Sequence, residues 1–449
     1  MSATIARPAM ASSALIAVLV LLGACSTSSG DPVGTASGGS SAGSPAAASA
    51  VGTPSAGAPS SAPGASRPAP ATPTDAALQL AAQMGQHSTL ASDMMRARIR
   101  GDADLAQAAD AALVHNTEAM SATLAPFVSA QAREQFDHMW EEHILSLFEY
   151  ARGHAAKDHG VRHHAREESV EYEGELAQYF ADQSPGGRLD RANAEKSIHT
   201  HAEHLLANAD AYAAGDYAAA ARGYRESYSQ SYGLGATVAR SLLPAAAVTA
   251  LDSPAVRLRS ELGRLLGEHS ALVMAMTRSA AGTPQDFAAV GEALNANTTE
   301  LTGAVDALFG APTAQRFQAL WADQIDQLAA YNTAAVGGDT AGKERARTAL
   351  TRFQTDIGQL LSTATEDRLT AEAAAQALRE HDSRLLEEID AYTGGDFPRA
   401  HAASEQIHDA VLVLSAQLAE GIGAAVAARL PSGGSDTGGG GTMRPAGGS

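Results

Sequence analysis

The sequence predicts an all-α protein built as two tandem, duplicated antiparallel helical bundles of about 180 residues each. Three observations carry this. From about 74 to 430 the chain is dominated by Ala, Leu, Glu, Gln and Arg, without runs of β-branched residues. Proline there is confined to punctuation, at Pro126, Pro185, Pro244, Pro254, Pro284, Pro312 and Pro398. The chain also matches itself. Phe136, Trp140, Ile144 and Tyr150 recur as Phe317, Trp321, Ile325 and Tyr331, each 181 positions later. The first three share one helical face at i, i+4, i+8. Trp140 and Trp321 are the only tryptophans and mark the same repeat position as core aromatics.

The match extends to both sides. His87 pairs with His269, Asn116 with Asn297, and the segment starting at His201 with that starting at His381. The offset drifts only from 182 to 180, which confines insertions to short loops.

Periodicity and punctuation place helices at about 75–100, 103–125, 129–157, 160–182, 188–213 and 217–242 in the first copy. In the second they fall at about 254–281, 284–308, 311–336, 341–364, 370–392 and 397–428. Thr283-Pro284 puts proline just inside a helix, with Asp286 in its first turn; Ser253-Pro254 and Ala311-Pro312 read alike. Ala214-Gly215-Asp216 and Gly394-Gly395-Asp396 stop one helix and cap the next. Whether 129–157 and 160–182 form one bent helix or two is open at this level. The repeated Asp210-Ala-Tyr212 and Asp390-Ala-Tyr392 read as helix ends.

The N-terminus reads as an address. One positive charge, Arg7, precedes an apolar run from Met10 to Ala24 that is too short to span a bilayer comfortably. Residues 1–24 are therefore expected to be a signal peptide. The segment LGAC at 22–25 resembles the lipobox of bacterial lipoproteins, which are cleaved before the cysteine and lipidated on it. That resemblance implies a lipid anchor on Cys25 at the extracytoplasmic face of the cell membrane. Cys25 is the only cysteine, so neither a disulfide framework nor a paired-cysteine zinc site can form. The Ser/Gly/Ala/Pro segment 25–73 cannot bury enough surface to fold and reads as a tether of about 38 Å r.m.s. span. The domain plan continues with a His-rich bundle at 74–250, a second bundle at 251–430 and a Gly/Ser-rich tail at 431–449. The folded region resembles, in general pattern only, the tandem helical surface lipoproteins of Gram-positive, actinobacterial bacteria.

The net charge of −19 argues against nucleic acid and against an anionic membrane surface as the main partner. It suits attraction of cations.

Histidine is the chemical signal. Of 15 histidines, 11 lie in the first bundle. Aligned on the repeat, His87, His143 and His201 would converge inside copy one, with Tyr228 or Asn116 in support. His269, His381 and His408 would do so in copy two, with Gln324 or Asn297. Neutral imidazoles from facing helices suit copper or zinc. A hydrogen-bonded structural layer is the competing reading. Haem between helices is a further one, with Met84 or Met274 as an axial ligand. A second cluster, His154, His159, His163, His164 and Glu167, reads as a surface metal site unique to copy one, or as a solvated charged face, within a stretch that ends at Tyr172 and Glu173. Met84, Met94, Met95, Met274 and Met276 lie near the paired His87 and His269. Their commoner role is core filler, but as soft ligands they favour copper over magnesium or calcium.

Catalytic signatures are lacking: the sequence has no H-E-x-x-H, no G-x-S-x-G, no G-x-G-x-x-G and no P-loop. The expectation is a non-enzymatic, lipid-anchored binding protein for a transition metal. The alternative is a cell-envelope scaffold that engages another envelope protein.

Overall fold

A computed structural model describes residues 70–280 and 282–429; Cys25, the tether and the tail lie outside the described residues. Among the described residues the fold is all-helical, with thirteen α-helices and no strand. The first half holds α1 (Pro73–Arg100), α2 (Ala103–Leu124), α3 (Ala130–Ala155), α4 (His159–Gln183), α5 (Arg191–Ala213) and α6 (Tyr217–Leu242). A short α7 (Ala245–Leu251) leads to α8 (Pro254–Ala280), α9 (Pro284–Phe309), α10 (Ala311–Val336), α11 (Thr340–Ala364), α12 (Ala371–Thr393) and α13 (Phe397–Arg429).

The starts follow from capping chemistry. Thr72, Ser129 and Thr283 accept the backbone N–H three residues on, satisfying a donor that the first turn leaves unpaired. Asp190 caps α5, which therefore begins at Arg191 rather than near 188; a 3₁₀ turn at Pro185–Gly187 fills the interval. The helix α7 has only seven residues, too few for a periodic signal.

The stretch 129–182 is two helices. Lys157 adopts φ 56°, and Asp158 caps α4. The second half breaks at the corresponding place, with Gly338 at φ 66° and Asp339 as the cap of α11. A left-handed residue costs glycine little and lysine more, so the first copy carries the strain at its turn.

Consecutive helices pack on each other through short loops, and the first helix of each half also packs on the last, α1 on α6 and α8 on α13. The halves share a core. Helix α1 packs on α8, α6 on α9 and α13 on α2. One apolar cluster joins Tyr224, Tyr228 and Tyr232 to Leu272, Trp321, Phe353 and Val411. Every residue from Ala76 to Ala97 in α1, and from Leu265 to Ser279 in α8, is buried. A helix buried on all sides cannot leave polar groups unpaired without cost. Accordingly Asp93 of α1 meets Arg278 of α8 at 2.5 Å; at the part-exposed start of α1, Asp75 meets Arg259 at 2.6 Å.

Local contacts repeat between halves. Trp140 stacks on Phe136 at 5.3 Å between centroids, and Trp321 on Phe317 at 5.1 Å. Tyr150 donates to Asp210 at 2.7 Å, and Tyr331 to Asp390 at 2.9 Å. The Asp-Ala-Tyr repeats thus tie helix ends to a neighbouring tyrosine.

Candidate metal centre

Three helices of the first half each place one histidine at the same level of the core. On α1, His87 lies between Met84 and Leu90; on α3, His143 lies between Trp140 and Leu147; on α5, His201 lies between Ile198 and Leu205. The residues before each histidine belong to one apolar cluster and those after it to another. The imidazoles therefore form a polar layer between two apolar ones.

The layer is compact. Ring centroids are 5.4 Å apart for His87–His143, 5.5 Å for His87–His201 and 5.4 Å for His143–His201. One nitrogen from each ring lies within 4.8 Å of the other two. The triangle is close to equilateral. A metal about 2.0 Å from each nitrogen puts each centroid about 3.2 Å from the ion, and three such rings at 120° have centroids about 5.5 Å apart. The centroid triangle matches that spacing; a trigonal ion would also draw the nitrogens to about 3.5 Å of one another, inside the 4.8 Å within which they lie. Among the described residues this is the only group of three His, Asp or Glu side chains drawn to ligating distance.

Hydrogen bonding leaves nitrogens free. His201 Nδ1 pairs with Ser231 Oγ of α6 at 2.8 Å, so with its proton on Nδ1 its Nε2 lone pair is available. Trp140 Nε1 donates to His87 Nδ1 at 3.4 Å, long for such a bond. Ligation through His87 Nε2 would move the ring proton to Nδ1, where it faces the indole N–H, so that long hydrogen bond would be given up. His87 Nε2, both nitrogens of His143 and His201 Nε2 have no protein partner. Each unpaired buried group costs about 1–3 kcal/mol, so a bound ion would offset a real penalty.

Burial sets the protonation state. Desolvation, then the neighbouring imidazoles, hold His87 and His201 well below the ordinary histidine range; desolvation alone lowers His143 to about 4. The rings are thus neutral at physiological pH, and no proton competes for the lone pairs. Tyr172 of α4 stacks on His143, 5.1 Å between centroids at 14°. An apolar cavity of about 20 Å³ adjoins the layer, lined by Met84, Met120, Trp140, Tyr172, Ile198 and His201 among others. It is about the size of one water.

The second half differs. His269 packs against Trp321 at 5.0 Å, matching the 4.9 Å of His87 and Trp140, but His269 and His381 are 6.4 Å apart. The third position holds Gln324, which donates to Asp382 at 2.8 Å, and Gln354 donates to the other oxygen at 2.8 Å. Burial pushes Asp382 up to about 7. His408 Nδ1 contacts the Ser404 carbonyl of its own helix at 2.9 Å. The structure does not bring His269, His381 and His408 into a ligand group as it does the first-half trio.

The expected supporting residues have other tasks. Asn116 donates to the Gln83 carbonyl and Asn297 to the Leu265 carbonyl, each one turn before the histidine and each at 3.1 Å, bracing α2 on α1 and α9 on α8. Tyr228 packs against Gly85 and Gly267 where the halves meet. On α6 it is Ser231, not Tyr228, that reaches the site.

The surface cluster fans out instead of converging. His154 pairs with Asp210 at 2.7 Å, His163 with Glu167 at 3.1 Å and His164 with Glu168 at 3.3 Å, while His159 contacts Arg162. Tyr172 and Glu173 at its far end are buried. Met94 and Met95 fill the apolar layer beyond His87, and Met274 and Met276 lie in the shared core.

Sequence reasoning missed Ser231, the role of Tyr172, and Asp382. A usable signal existed for Tyr172: the 181-residue shift pairs it with Phe353, whose ring lies against Trp321 at 5.9 Å. No protein-family model, curated protein or solved structure matches the chain.

Proposed function

We propose that this protein binds a transition metal, copper or zinc, through His87, His143 and His201, and that it captures or senses the ion rather than turning over a substrate. The observation that supports this best is the equilateral layer of neutral, buried imidazoles with free ring nitrogens. An ion is favoured over haem because the adjoining cavity is about 20 Å³, whereas ligand pockets for molecules of that size run to several hundred Å³. The lipobox-like LGAC supports lipidation of Cys25 and an extracytoplasmic location, with the Ser/Gly/Ala/Pro segment as a spacer from the membrane. The matched aromatic contacts around Trp140 and Trp321 support descent of the two halves from one duplicated bundle, in which the second copy replaced a ligand histidine by Gln324.

A scaffold role is the second reading, favoured by the Gln324–Asp382–Gln354 network, in which both carboxylate oxygens of Asp382 accept a hydrogen bond. Elemental analysis and metal titration of the untagged chain separate the two. One equivalent of copper or zinc, lost in H87A/H201A but kept in H269A/H381A, supports the first-half site. No binding at micromolar metal, with both variants merely less stable, leaves the scaffold.

A further inference from the structure

The first-half site also bears on the charge of its ion. The converging group is three histidines with no aspartate or glutamate among them. The layers on either side are apolar, with Met84, Trp140 and Ile198 on one and Leu90, Leu147 and Leu205 on the other. Glu173, the buried acid that follows Tyr172, is engaged by His199 at 2.8 Å and Ser169 at 3.2 Å. Three neutral ligands leave the full charge of the ion in a medium of low dielectric. The solvation penalty scales with the square of the charge, so a dication costs about four times what a monocation does. Zinc on three histidines further needs a water or anion in its fourth position, and the water-sized cavity beside the layer is apolar. Cu(I) is content with a trigonal set and prefers imidazole and thioether surroundings, and the adjoining cavity is walled by Met84 and Met120.

We infer that the site selects monovalent Cu(I) over Zn(II) and Cu(II), with His87, His143 and His201 as ligands and Met84 and Met120 as a polarisable wall. This rests on the metal-binding reading above and adds the identity of the ion.

The test is an anaerobic titration of the full chain with Cu(I) against a chromophoric Cu(I) chelator, with a parallel zinc titration against a zinc indicator. One Cu(I) per chain is expected, held at least about 100-fold tighter than zinc. H143Q abolishes it, H269Q does not, and M84L/M120L weakens Cu(I) more than zinc. Copper K-edge absorption on the loaded wild-type chain should show three nitrogen scatterers at about 2.0 Å, which holds even if H143Q fails to fold. Zinc bound as tightly as Cu(I), and lost in H143Q, overturns the selectivity while leaving the histidine site intact. Neither ion bound by the wild type overturns both readings.

Discussion

Tyr228 of the first half reaches across to Gly267 of the second so closely that a Cβ there would fall 2.1 Å from the tyrosine hydroxyl and 3.2 Å from Cζ. Gly85, the repeat partner of Gly267, takes the edge of the same ring, with 2.9 Å from its would-be Cβ to Cε2. Both glycines stand two residues before the paired histidines of α1 and α8, so the ring that joins the halves packs about half a turn from them. G267A is expected to destabilise by about 1–2 kcal/mol, because overpacking outweighs the helix gain of about 1 kcal/mol for alanine. Y228F/G267A should recover part of that loss in a denaturant melt, since removal of the hydroxyl relieves the 2.1 Å contact.

Asp93 and Arg278 pair across α1 and α8 with both side chains buried, and burial raises Asp93 despite the guanidinium beside it. R278M strands a carboxylate in the core and is expected to cost about 3–5 kcal/mol. The double variant D93N/R278M should be less damaging than the single one; additive losses would contradict the coupling.

Each buried histidine of the metal-free protein should cost stability on acidification below about pH 6.5. Burial lowers His143 and His381 to about 4 and His269 and His401 to about 3, with His87 and His201 also well below normal. The unfolded chain takes up these protons near 6.5 while the folded one does not, so stability falls from there toward about pH 4. Buried acids oppose this: Asp382, raised to about 7, and Glu388, raised to about 8, stay protonated when folded and lose stability as pH rises toward those values, and burial also raises Asp93, Glu173, Glu268 and Asp286. The histidine contribution is therefore read by difference, wild type against H143Q. H143Q should reduce the slope between pH 6 and 5 by about one proton, or about 1.4 kcal/mol per pH unit, in urea melts.

Metal should raise the melting temperature of the wild type and leave its sensitivity to acid above pH 6 unchanged, because the folded rings carry no proton there with or without the ion. At a free ion concentration about 100 times the dissociation constant the gain is about 2.7 kcal/mol. H201A should show no gain, while S231A should keep binding but with reduced affinity, because Ser231 orients the His201 ring. Unchanged affinity in S231A would remove that positioning role.

Much of the fold was legible because helices here are punctuated by caps and proline: Thr283-Pro284 and Gly215-Asp216 mark starts that the backbone obeys, whereas Asp190 caps α5 later than the start near 188 that periodicity gave. The site was legible by half. The repeat fixes the depth of a residue along its helix, and so His87, His143 and His201 were placed at one level. It does not say what stands at a matching position where the other half has no histidine. Gln324 turned to Asp382, a residue without a counterpart in the first half, where Ala202 stands. The rotation of a face is equally hidden: α4 reads as uniformly charged, yet Tyr172 and Glu173 point inward while His163 and His164 stay exposed.

The most direct measurement of the central claim is an anomalous difference map from crystals of the full chain loaded with copper. The expected result is a single strong peak about 2.0 Å from one nitrogen each of His87, His143 and His201. Copper seated instead at His159 to Glu167, with nothing between the three buried rings, would contradict it.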